Sequence, residues 1–72
     1  MNALDRIERL KRLDWMIKNQ VQGTPHELAE RLGVSRSVLY TNIEDLKIMG
    51  ALIKYNKRHL YFEYEEEFQL KF

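Results

Sequence analysis

The sequence predicts an α+β fold, three helices followed by a β-hairpin, and three observations carry that prediction. Apolar residues recur at helical spacing over residues 3–20 and again between Leu28 and Leu46. Gly33 and Gly50 close the second and third stretches, where a residue tolerant of positive φ ends a helix. After Gly50 the period changes to two, with Ala51, Ile53 and Tyr55 facing Leu60, Phe62 and Tyr64 across a polar segment. The 72 residues make one small domain, 1–72, burying about 60% of the surface its unfolded chain exposes.

The first helix, expected over 3–20, contains neither Gly nor Pro. Ala3, Ile7, Leu10, Ile17 and Val21 share a face, with Leu13 at its border. Leu4 and Trp15 lie off that stripe and Met16 lies further round; they are either part of a wide apolar face or a dimer contact. Asp14, near the stripe, is expected to hydrogen-bond within the fold. The second helix, 25–32, opens on Thr24 as N-cap, Pro25 at the first helical position and Glu27 completing a capping box. The third, 36–49, is capped by Ser35.

Two short helices joined at Gly33 form a helix-turn-helix, which places its second helix in the major groove of DNA. Stepping 100° per residue puts Leu39, Ile43 and Leu46 on the core side of that helix, and Ser37, Tyr40, Thr41 and Glu44 on the other. Arg36 sits at the edge of the first turn. The free N–H groups and positive dipole end of a helix favour a phosphate, and the short hydroxyls of Ser35 and Ser37 let the backbone approach.

The hairpin is expected over 51–64, with Tyr55 opposite Leu60, Ile53 opposite Phe62 and Ala51 opposite Tyr64. Its tip, Asn56 to His59, holds Lys57 and Arg58, as suits a loop that reaches a phosphate backbone or minor groove. Phe68, Leu70 and Phe72 alternate with polar residues and predict a short C-terminal strand, 68–72, which covers the sheet or pairs with a partner chain. Glu65 to Glu67 then form an acidic turn, solvated or shielding a basic surface.

Composition narrows the function classes. Without cysteine there is no disulfide and no Cys-containing zinc site. No run approaches a membrane span and the N-terminus has no secretory pattern, so a cytoplasmic chain with no membrane partner is expected. His26 and His59 lie on different elements, and there is neither an HExxH motif nor a Gly-rich phosphate loop, so we expect no enzyme activity, metal, cofactor or small-molecule ligand. The net charge of +1 hides a polarity: Lys54, Lys57 and Arg58 make residues 51–62 +3, and four glutamates against Lys71 make residues 63–72 −3. Residues 24–50 are net −1, which leaves phosphate attraction to Arg36, the 54–58 region and the first helix.

The stretch Thr24-Pro-x-Glu-Leu-Ala-x-x-Leu-Gly-Val-Ser35, three helices and a basic hairpin together resemble the winged helix-turn-helix domains of bacterial transcriptional regulators, of the DeoR-like and biotin-repressor-like kind. The resemblance covers about residues 4–62. It implies DNA contacts from Ser35, Arg36, Ser37 and Tyr40 on the recognition helix and from Lys57 and Arg58 on the wing. Two positions depart from the family pattern: the usual basic residue after the tyrosine is Thr41, and the residue before Leu39, often Thr, is Val38. Family members usually carry a sensor or catalytic domain beyond the wing, so a stand-alone DNA-binding domain is expected here.

Two functions compete on these residues. The first is sequence-specific binding of double-stranded DNA by a homodimer, because a lone module buries little DNA and two half-sites restore affinity. Its contacts are Ser35, Arg36, Ser37, Tyr40, Thr41, Lys57 and Arg58, with Leu4, Trp15, Phe68, Leu70 and Phe72 between protomers. The second is a winged helix serving as a protein-interaction module, favoured by the near-zero net charge, by Glu44 and Asp45 on or beside the exposed face, and by Thr41.

Overall fold

The computed structural model describes residues 3–71, with side chains from Asp5 onward. The chain runs α1 (Ala3–Lys18), α2 (Pro25–Leu32), α3 (Arg36–Ile48), β1 (Ile53–Asn56) and β2 (Tyr61–Tyr64), the two strands forming an antiparallel hairpin. This is the α+β arrangement of a winged helix, as the periodicity and punctuation of the sequence predict.

The helices start and stop for local reasons. At α2 the Thr24 hydroxyl accepts the Glu27 amide and the Glu27 carboxylate accepts the Thr24 amide, a complete capping box. At α3 the Ser35 hydroxyl accepts the Val38 amide at 3.2 Å. All three helices end alike, one amide bonding three residues back and the next bonding five back: Gln20 to Ile17 and Val21 to Met16, Gly33 to Glu30 and Val34 to Ala29, Gly50 to Lys47 and Ala51 to Leu46. The turning residue has positive φ each time, 50° at Gln20, 82° at Gly33 and 108° at Gly50. The first helix therefore stops at Lys18 instead of continuing to residue 20, and the third stops one residue before Met49.

Leu10, Leu13 and Ile17 of α1, Leu28, Ala29 and Leu32 of α2, and Leu39, Ile43 and Leu46 of α3 form one buried cluster with Ala51, Ile53 and Phe62 of the hairpin. Burial of each large side chain contributes about 1.5–3 kcal/mol. Asn42 shares the buried face of α3, its amide donating to the Val38 carbonyl at 2.9 Å. Between helices, Arg6 reaches Asp45 at 2.8 Å, and Asp14 of α1 accepts the Tyr64 hydroxyl at 2.6 Å while pairing with Lys18 at 3.3 Å. Asp14 thus has the internal partner expected of it. Burial, reinforced by this carboxylate, pushes the Tyr64 phenol well above its ordinary range.

Two expectations about the hairpin and tail need correction. The register pairs Ile53 with Tyr64 and Tyr55 with Phe62, two residues away from the expected pairing of Tyr55 with Leu60. The reason is Asn56. Its carboxamide oxygen accepts the amides of Arg58 and His59, and its carbonyl accepts the Leu60 amide, so the turn becomes 57–60 and Leu60 leaves the strand for an exposed position. A shift of two preserves the faces, so Ile53, Tyr55, Phe62 and Tyr64 still share one side. The tail forms no strand over residues 68–71, and Phe72 lies outside the described residues. Phe68 and Leu70 instead pack half-buried on the core, with the Phe68 ring 5.2 Å from Tyr64. A bend at Glu65 and Glu66, after the Glu65 amide bonds the Leu52 carbonyl, carries the chain off the sheet.

Gly33 has open space where a Cβ would stand, so Gly33→Ala tests backbone strain alone. Calorimetry should show a loss of about 1 kcal/mol, or about 4–8 °C in Tm, whereas Gln20→Gly should gain about 0.5 kcal/mol at the equivalent turn. The capping box has a pH signature. The Thr24 amide, then its hydroxyl, hold the Glu27 carboxyl below its ordinary value, so the stabilisation is present above the unfolded pKa and is lost as pH falls through the folded one. Between about pH 6 and about pH 3, the wild type should lose more stability than Glu27→Gln, read from paired melting curves.

Candidate nucleic-acid interface

With Leu39, Asn42, Ile43 and Leu46 turned inward, α3 presents Arg36, Ser37, Tyr40, Thr41 and Glu44 to solvent. The exposed row expected from the helical period is the row observed. Its hydroxyls differ in what they have left to offer. Ser35 uses its oxygen as the cap acceptor, so its own proton stays available to a phosphate. Thr41 donates to the Ser37 carbonyl at 3.1 Å, which leaves its oxygen as an acceptor and its methyl as an apolar contact. Ser37 is exposed beside Arg36 on the first turn. Glu44 keeps a negative charge on this side, paired with Lys47 at 3.5 Å, while Asp45 turns away to Arg6 on α1.

The wing is fastened to the approach into α2. Tyr55 of β1 donates its hydroxyl to the Gly23 carbonyl at 2.8 Å, the Gly23 amide donates to the Leu60 carbonyl at 2.7 Å, and Gln22 donates to the His59 carbonyl at 3.2 Å. Gly23, at φ 157°, is close to extended backbone and buried, with Glu27 and Leu28 3.3–3.5 Å from where a Cβ would be. Burial raises the Tyr55 phenol above its ordinary value, and Glu27 and then Tyr40 add to the shift. In the same 57–60 turn that these bonds hold, Lys57 and Arg58 are exposed. Among the described residues, no carboxylate lies within ion-pair distance of Arg36, Lys57 or Arg58.

A helix pair joined at Gly33, a solvent-facing second helix and a braced basic hairpin are matched by one family model, described as an HTH domain, over residues 8–61. The chain belongs to that HTH domain family. The match covers about three quarters of the sequence, from α1 into β2. No curated protein and no solved structure matches the chain.

Within this HTH domain, Arg36, Ser37, Tyr40 and Thr41 lie together on α3 with Ser35 as its N-cap, and Lys57 and Arg58 lie together on the wing turn. Trp15, 61% exposed, walls an open cleft of about 250 Å³ with Arg12, Met16, Val21 and Arg31. Leu4 lies in α1 but its side chain is outside the described residues. Three participants escaped the sequence. Asn42 reads as an ordinary polar residue until its face is fixed by packing. Gln22 and Tyr55 make links across 37 and 32 residues, which no local pattern encodes. Leu60 was legible in part, because an Asn opening a turn is a known signal and Asn56 moves the turn by one residue.

Tyr55→Phe removes the hydroxyl and leaves the Gly23 carbonyl without that donor. It should cost about 1 kcal/mol and speed amide exchange at Gly23 and across residues 57–60 more than in α1, as measured by hydrogen-exchange NMR.

Proposed function

We propose that this HTH domain binds double-stranded DNA sequence-specifically as a homodimer and regulates transcription in the cytoplasm, with no catalytic activity of its own. The observation that carries the reading is the solvent-facing row Arg36, Ser37, Tyr40 and Thr41 on a helix whose other side is fully packed. In this scheme α3 lies in the major groove, with Arg36 and Tyr40 reading or positioning bases and Thr41 offering an acceptor and a methyl group. Ser35 and Ser37 hold phosphate at the helix N-terminus, and Lys57 with Arg58 neutralise adjacent backbone.

Dimerisation supplies the affinity that one small interface lacks, and the exposed indole of Trp15 is available for it. Leu4 on the same helix, and Phe68, Leu70 and Phe72 of the tail, complete the proposed contact, although Phe68 and Leu70 already give part of their surface to their own core.

The alternative, a protein-interaction module, draws on the exposed apolar residues Trp15, Ile48 and Leu52. It loses one support, because Asp45 is engaged by Arg6 and does not acidify the exposed face.

Two variants test the assignment on duplexes selected from a random pool. Arg58→Ala should weaken all sequences alike and reduce the slope of log K against log salt by about 1. Arg36→Ala should also blur base preference, by about 1–3 kcal/mol at the contacted position. Equal behaviour of the two across the selected pool refutes the division of labour, and a chain that is not retained on duplex DNA even at low salt favours the interaction module.

A further inference from the structure

Leu60 is the residue least explained by the fold. It is a non-glycine residue at φ 61°, in the left-handed region that glycine or asparagine occupies at lower cost, and its side chain remains 44% exposed. Neither backbone preference nor burial selects leucine there. The position is also locked: its amide donates to the Asn56 carbonyl and its carbonyl accepts the Gly23 amide, both at 2.7 Å. Strain held in place from both sides, at an exposed tip, is a mark of a working residue.

Its neighbours indicate the work. Lys57 and Arg58 precede it in the same turn, exposed and without an ion-pair partner among the described residues. On either side of it in sequence, the rings of His59 and Tyr61 stack 5.9 Å apart at 12°. The tip thus combines an aliphatic side chain on a braced backbone, two cations for phosphates and a flat ring pair.

We infer that Leu60 is a minor-groove wedge, inserted at a base step so that the wing bends the duplex α3 is holding. The inference rests on the DNA-binding reading and adds a mode and a specificity to it. A hairpin tip with cations on its flank is drawn to the narrow, negative minor groove, and an apolar side chain presented there from a braced backbone unstacks a step, most readily TA or CA/TG. A protein partner would also accept an exposed leucine, but the adjoining cations favour phosphate.

The test uses the intact chain and end-labelled duplexes of about 40 bp, enriched for binding from a random pool and read by end-to-end fluorescence transfer. Wild type should bring the ends together and should favour pyrimidine–purine steps beside the α3 half-site. Leu60→Gly relieves the backbone, so its melting temperature should hold or rise while the bend disappears and affinity falls about tenfold. Leu60→Asn should behave likewise, and Leu60→Met should keep the bend. A duplex that is bound but stays straight overturns the wedge and leaves the DNA-binding reading standing. An unchanged bend in Leu60→Gly assigns the deformation to other residues and likewise overturns it. If wild type binds no duplex at low salt, the regulator reading itself falls and the wedge falls with it.

Discussion

The buried face of α3 is the constraint on which the rest of the molecule depends. Leu39, Asn42 and Leu46 are almost completely removed from water and Ile43 nearly so, within a cluster drawn from α1, α2 and the hairpin. A helix packed on that scale cannot rotate without exposing several leucine-sized side chains, each worth about 1.5–3 kcal/mol. The outward row is therefore fixed by what happens on the inward one. Asn42 is carried on the same buried face, with a side-chain N–H donated to the Val38 carbonyl of its own helix.

The wing takes its position from the loop ahead of α2, through a seam of polar contacts more than through a continuous sheet. Tyr55, Gly23, Gln22, His59 and Leu60 join the hairpin to the short loop ahead of α2. The seam orders the 57–60 turn, where Lys57 and Arg58 would otherwise sit on an unsupported tip. A second seam, Tyr64 to Asp14 and Asp14 to Lys18, holds β2 to α1. Both use half-buried phenols whose hydroxyls find an acceptor on another element, which suits side chains with an apolar ring and a polar end.

The electrostatics follow from geometry more than from composition. A net charge of +1 says little, yet Arg36, Lys57 and Arg58 are unpaired among the described residues, whereas Arg6, Lys18 and Lys47 are engaged with carboxylates. Positive charge is left available at the first turn of α3 and the wing tip. Asp45, which in sequence acidifies the helix, is neutralised toward α1.

Much of this was legible in the chain. Caps and glycines encode α2 and the start of α3 within a few residues of themselves, and the helical period separates Leu39, Ile43 and Leu46 from Ser37, Tyr40 and Thr41 without reference to any other element. The alternation after Gly50 likewise determines which hairpin residues share a face, since a shift of two leaves that face unchanged. What only the tertiary structure decided is everything that depends on partners distant in sequence: the register imposed once Asn56 closed its turn, the tail lying on the core without a strand, the burial of Asn42, the pairing of Asp45 with Arg6 and the bracing of Leu60 by Gly23. Local sequence sets local dihedrals and periodicity, but which polar group meets which, and which apolar residue is left in water, is settled only when separate elements compete for the same buried space.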